Sequence, residues 1–296
     1  MNKKGIIILI VFLSIICILM TSGFIYLLSS NFEWGSINLN FNESELVDSI
    51  EYENEITSLN VDTKSIDVYF EESDNDKYSV EIYSNNKKID YSFTNEDGVM
   101  NVKAYNKTKG NIFIGFGAHG KVVIKIPRNN TIEEFRIDQK IGDIKIGKFE
   151  NLNGTIINSI GDLDIDTLNN VKIELDTGDI KIERVNNVDI KHTTGDLDID
   201  TANEVIDNSN TGDIDINTIN SHFNIASHTG DITINTASLT GDSVINHKTG
   251  DIRIKKLTGV YVETDSKIGD VKINNNDRYA EHTLKITNKT GDIRIN

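Results

Sequence analysis

The sequence predicts an all-β protein, a parallel β-solenoid preceded by one N-terminal transmembrane helix, and three observations predict it. First, one phrase recurs nine times: glycine, aspartate, an aliphatic residue, any residue, an aliphatic residue. The copies begin at Gly142, Gly161, Gly178, Gly195, Gly212, Gly230, Gly250, Gly269 and Gly291. Second, they follow one another at 19, 17, 17, 17, 18, 20, 19 and 22 residues. Such a period marks stacked repeats, each burying its apolar face only against its neighbours. It is too short for a strand–helix–strand unit, which needs ~30 residues. Third, residues 5–28 contain no charged side chain.

Residues 1–4 form a short basic tail carrying Lys3 and Lys4. The 24 uncharged residues that follow, rich in Ile, Leu and Val, reach roughly 36 Å as a helix, enough to cross a ~30 Å hydrocarbon core. The first charge beyond them is Glu33, so the positive-inside rule leaves the tail in the cytoplasm and everything after Ser30 outside. Phe32 and Trp34 are placed for the outer interface. A cleaved signal peptide competes with this reading, since Thr21, Ser22 and Gly23 are small, but residues 24–28 continue the apolar run. Cys17 is the only cysteine and follows Ile16 rather than a small residue. That suits an apolar filler in the helix and excludes an internal disulfide framework.

Residues 29–54 read as an acidic stalk, with room for a helical turn or two over 43–50. Residues 55–130 are strand-rich without the repeated phrase and read as an N-terminal β cap that protects the first open edge of the solenoid. Within it the glycine-rich stretch 111–120 precedes a strand, not a helix, so it is a hairpin tip and not a phosphate-binding loop.

Residues 131–296 hold the nine repeats. Ile214 and Ile216 alternate with Asp213 and Asp215, the period-two pattern of a half-buried strand. Gly212 stands where the chain turns, and the aspartate after it can accept a backbone N–H in that turn. Seven and five residues before five of the glycines a second apolar pair appears: Phe135/Ile137, Val171/Ile173, Val188/Ile190, Phe223/Ile225 and Leu284/Ile286. Each repeat therefore carries two strands and two corners. Position minus one is β-branched throughout, from Ile141 to Thr290, which suits an inward or corner site. Position minus three is mostly polar: Gln139, Asn158, Leu175, His192, Ser209, Ser227, His247, Ser266 and Asn288. It reads as a hydrogen-bonded column beside a corner, because an unpaired buried polar group costs about 1–3 kcal/mol.

The run Lys121 to Pro127, then Phe135-Arg136-Ile137 and Ile141-Gly142-Asp143-Ile144, together with the Thr-Gly-Asp-Ile phrases, resembles the bacterial putative-adhesin family, β-strand-repeat domains of largely unknown function. The resemblance covers about residues 51–296. It implies a β-helix of the pectin-lyase-like kind and brings no catalytic residues to transfer. Gly161 and Gly269 depart from the pattern by following Ile.

The net charge is −16, and without Lys3 and Lys4 the remainder holds 28 basic against 46 acidic residues, or −18. This disfavours nucleic acid and anionic membrane surfaces as partners of the whole domain. Two patches stand out as candidate binding surfaces. Asp164, Asp166, Asp198, Asp200 and Asp215 form an acidic outer face, suited to cations or basic partners. Arg253, Lys255, Lys256, Lys272 and Arg294 form a basic end, suited to an acidic glycan, a wall polymer or another surface protein. The nine aspartates after glycine are turn-capping groups, since calcium β-rolls use a nonapeptide with two glycines. The histidines show no zinc spacing and no serine sits in a nucleophile elbow, so no catalytic residue, metal or cofactor is expected. The expected function is that of a single-pass, non-enzymatic adhesion or scaffolding protein of a bacterial envelope. The alternatives are an envelope-stress sensor or accessory subunit reading a wall component and, after that, a carbohydrate-active enzyme on the same fold.

Overall fold

A computed structural model describes residues 44–84, 89–106, 120–274 and 276–296. The tail, the apolar segment, Phe32, Trp34, Cys17 and most of the glycine-rich tip lie outside the described residues. The described part is all β, with no helix, and its stacked repeats form a parallel β-solenoid. The nine glycine corners stand in one column, with about eight turns between the first and the last.

The chain opens with β1 (Glu45–Tyr52), β2 (Ser58–Thr63), β3 (Asp67–Glu72), β4 (Tyr78–Ser84), β5 (Ile89–Glu96), β6 (Val99–Asn106) and β7 (Gly120–Ile126). The helical turn expected over 43–50 is instead strand β1, paired antiparallel with β4. Its Leu46, Asp48 and Ile50 face Tyr83, Ile82 and Val80, and a pairing edge supplies hydrogen bonds that a lone helical turn lacks. The region expected to cap the solenoid also extends it. β2 and β3 lie parallel to β8 (Glu134–Ile141) and β9 (Ile144–Lys148), while β6 and β7 lie parallel to β2 and β3 on the far side. Antiparallel β4 and β5 then cover β7 and β6.

From β10 (Asn153–Ile160) the coil is regular through β11 (Leu163–Thr177), β12 (Ile180–Thr194), β13 (Leu197–Thr211) and β14 (Ile214–Thr229). Only the glycine corner breaks each turn. The second corner is a bend inside a 15-residue strand such as β11, where Thr167 and Leu168 stay in register with Arg184 and Val185. Inside, aliphatic side chains stack in columns. One runs Ile144, Leu163, Ile180, Leu197, Ile214, Ile232 and Ile252, all at most 1% exposed, and each such side chain contributes about 1.5–3 kcal/mol of burial. Gly154 keeps a wide place in this interior empty of its own side chain, because the Phe135 ring of the neighbouring turn fills it.

The C-terminal turns depart from chain order. After β15 (Ile232–Ser238), β16 (Ser243–Thr249), β17 (Ile252–Ile254) and β18 (Leu257–Thr258) come β19 (Val260–Ile268), β20 (Val271–Ile273), β21 (His282–Thr290) and β22 (Ile293–Ile295). β21 lies between β16 and β19, and β22 between β17 and β20. The last-made rung is thus second from the end, and the glycine column reads 250, 291, 269. Chain order is likewise exchanged at the other end, where β2 and β3 lie inside β6 and β7. Asn296 is consequently held between rungs, its N–H on Ile254 at 3.0 Å and its carbonyl on the Leu257 N–H at 3.1 Å, and the open edge belongs to β19 and β20. Asn276 covers part of that edge: its side-chain oxygen accepts the Val262 N–H at 2.8 Å and its amide donates to the Val262 carbonyl at 3.0 Å.

Candidate binding surfaces

The corners are the frame on which every surface hangs. All nine glycines have φ between 131 and 142°, a left-handed region closed to side chains. A Cβ at Gly212 would also run into the Gly195 carbonyl. The aspartate after each glycine but Gly269, the last of the stack, accepts the N–H of the aspartate one turn on, not of its own turn: Asp162, Asp179, Asp196 and Asp213 donate in succession to Asp143, Asp162, Asp179 and Asp196 at 2.8–2.9 Å. The minus-three column points inward and part of it serves the same corners, whereas Ser227 Oγ and both ring nitrogens of His247 have no partner among the described residues. Asn158 donates to the Gly142 carbonyl at 3.0 Å, His192 Nε2 bonds that of Gly178 at 2.7 Å, and Asn288 reaches both Gly250 and Gly291 at 3.0 and 3.2 Å. The minus-one residues, by contrast, face solvent, with Ile268 66% exposed. Their carbonyls, not their side chains, do the structural work, each taking a glycine N–H from the neighbouring turn.

The acidic face is less acidic than its aspartates suggest. Asp164, Asp198 and Asp215 share a ladder with Lys145 and Lys181, and Lys145 bonds Asp164 at 3.1 Å. Asp166 and Asp200 stand in the next outward column. Together with Lys148, Lys181, Arg184 and Asp198 they line a mixed-charge groove of ≈ 490 Å³. Asp198 and Asp215 are direct like-charge neighbours. Partial burial first, then the charges of Asp198 and Asp213, push the Asp215 carboxyl above its ordinary value.

At the basic end the exchange of the last two rungs sets the order of the stack. Arg294 faces Arg253 on one side and Lys272 on the other, with Lys255 and Lys256 on the following bend. Arg294 pairs with Asp292 at 2.9 Å, whereas among the described residues Arg253, Lys255, Lys256 and Lys272 make no ion pair. Three cations stand at the strand spacing of about 4.8 Å, an arrangement that direct neighbours of like charge disfavour.

A third surface escaped the sequence pattern. Val205-Ile206-Asp207 reverses the order seen in Val188-Asp189-Ile190. Register holds, so Asp207 stands in the isoleucine column between Ile190 and Ile225, and Ile206 stands outside between Asp189 and Asn224. Asp207 is 2% exposed. Burial pushes its carboxyl up to about 7, against a hydrogen bond from Ser209 at 2.6 Å, and its second oxygen has no partner. Outside, Asn170 donates to Asn153 and Asn187 to Asn170, each at 2.7 Å. The column continues into Glu204, which meets His222 Nε2 at 3.2 Å. His222 follows a bulge where β14 carries one extra residue against β13, which accounts for the 18-residue interval from Gly212. The missed signal was the aliphatic residue at minus six and the acid at minus five.

Residues 56–296 match the profile of the Toastrack DUF4097 family. Three solved structures are similar over most of the chain. A putative adhesin from Bacteroides fragilis is 16% identical, with 85% of this chain and 97% of that one covered and a TM-score of 0.38. A putative lipid binding protein from Parabacteroides distasonis is 14% identical, with 86% and 97% covered and a TM-score of 0.42. A putative cell adhesion protein from Clostridium sporogenes is 11% identical, with 85% and 99% covered and a TM-score of 0.24. No curated protein matches the chain. The chain belongs to the Toastrack DUF4097 family, the match running over most of its length.

Proposed function

We propose that this Toastrack DUF4097 chain is a non-enzymatic adhesion or scaffolding protein of the cell surface, anchored through residues 5–28, which holds a polyanionic surface polymer on its basic ladder. The observation that carries the reading is the stack Arg253, Arg294, Lys272. Two unit charges at that spacing repel by about 1 kcal/mol in water, and only Arg294 has an acidic partner within ion-pair distance. In a chain with a net charge of −16, such a stack is a local positive field that a polymer of regularly spaced phosphates or carboxylates neutralises. The neighbouring Lys255 and Lys256 extend the same field.

The test uses the full chain in detergent micelles, titrated with soluble polyphosphate and with polygalacturonate at rising salt. Binding is expected to weaken with salt. The variant R253Q/R294Q/K272Q is expected to lose at least about tenfold in affinity, or 1.4 kcal/mol. Equal binding by the triple variant removes the basis of the reading.

A further inference from the structure

We propose that the outer face of the coil from Asn153 to Ile206 is a second binding site, a groove that takes an extended, uncharged polysaccharide chain. The reversed pair Ile206-Asp207 is the first observation. Exchanging the two residues would return an isoleucine to the core column and a polar residue to solvent, as Asp189-Ile190 and Asn224-Ile225 have them in the turns on both sides. The chain instead buries a carboxylate with an unpartnered oxygen and leaves Ile206 39% exposed. A local choice that costs stability and breaks an otherwise regular pattern marks a functional position.

The second observation is where Ile206 lies. It forms one end of a groove of ≈ 350 Å³ that runs along the stack past Asn153, Asn170 and Asn187. The amide column fixes those side chains in orientation: Asn170 and Asn187 each use one of their two side-chain N–H groups within the column, and Asn153 donates to the Glu133 carbonyl at 3.3 Å. The groove therefore offers a row of carboxamides repeating once per turn, with an aliphatic platform at its end.

The repeat selects the ligand. Turns recur at about 4.8 Å, close to the length of one pyranose unit in an extended chain, whereas an extended peptide repeats its side chains on one face every ~6.6 Å. Sugar hydroxyls and acetamido groups pair with carboxamides, and the C–H face of a sugar ring packs on Ile206. The groove is also lined by Glu134, Asp189 and Glu204 against Lys172, a balance that repels polyanions. It lies on different strand segments from the basic ladder.

The experiment titrates the full chain in micelles with two neutral probes, a β-1,4-linked hexamer of N-acetylglucosamine and one of glucose, and with polygalacturonate as an acidic control. Binding of either neutral hexamer is expected. The exchanged variant I206D/D207I is expected to melt at a higher temperature than the parent yet bind at least about tenfold more weakly, so the loss cannot come from misfolding. Asn170→Ala, which interrupts the amide column, is expected to weaken binding too. R253Q/R294Q/K272Q is expected to leave it unchanged, which separates this site from the basic ladder. No binding of either neutral hexamer at millimolar concentration overturns the proposal, as does equal binding by I206D/D207I or a groove that binds only the polyacid.

Discussion

Asp207 should make the stability of the coil fall as the solution leaves the acid range. Its carboxyl is raised from 3.8 to about 7 in the folded protein. Between those two values the unfolded chain gives up the proton while the folded chain keeps it. Stability from this group is therefore highest below about pH 4, falls as pH rises, and levels off above about pH 7. A rise of about three units at 1.36 kcal/mol each sets a ceiling of about 4 kcal/mol on the loss, about half of which falls between pH 5 and pH 7.5. The assay is urea unfolding of the full chain in micelles at both pH values, for the parent and for Asp207→Asn. Because the amide does not ionise, the parent should lose about 2 kcal/mol more than the variant over that interval. The exchanged pair I206D/D207I should abolish the effect and add the burial of one isoleucine, about 1.5–3 kcal/mol. Superimposable profiles for parent and Asp207→Asn would mean that Asp207 is solvated and that the inward assignment of residue 207 is mistaken.

Three further outcomes follow from the corners and the rung order. Gly212→Ala should cost more than the ~1–3 kcal/mol of a left-handed side chain alone, because its Cβ also meets the Gly195 carbonyl; a melting shift no larger than that of Asp215→Asn contradicts the stacked corner. Asn288→Leu leaves the carbonyls of Gly250 and Gly291 without their side-chain donor and should cost about 1–3 kcal/mol by chemical unfolding. Removing residues 282–296 should expose β19 and β20 together, since β21 and β22 are their pairing partners. Amide exchange of Val260–Ile268 then rises to that of an unfolded segment, and retained protection argues against the exchanged order.

The repeat was legible because glycine at positive φ and the aliphatic alternation obey local rules that neighbouring turns reinforce. The polar minus-three column was legible for the same reason: only a corner carbonyl could satisfy side chains such as Asn158 and His192 in an inward position. The rung exchange was not, since Ile268-Gly269-Asp270-Val271 and Thr290-Gly291-Asp292-Ile293 fit either level of the stack equally well. Its one trace is the 22-residue interval from Gly269 to Gly291. The basic ladder was legible as three consecutive repeats with a basic residue at one outward position, but the order of its members was not, because Arg294 falls between Arg253 and Lys272 only through that exchange. Ile206 and Asp207 were missed because the aliphatic pairing was read turn by turn where it was regular, and this turn is where it fails.

The order of the last rungs underlies the covered C-terminus and the place of Arg294 between Arg253 and Lys272, and engineered disulfides read it directly. In a Cys17→Ser background, cysteines at positions 249 and 290, and at 290 and 268, stand on adjacent rungs. Their separation of about 4.8 Å lies within the 4.4–6.8 Å that a disulfide spans. Positions 249 and 268 are two rungs apart, about 9.6 Å, beyond that reach. Oxidation should link 249 to 290 and 290 to 268 but not 249 to 268. A ready 249–268 bond with no 249–290 bond would put the rungs in chain order, with Lys272 rather than Arg294 beside Arg253.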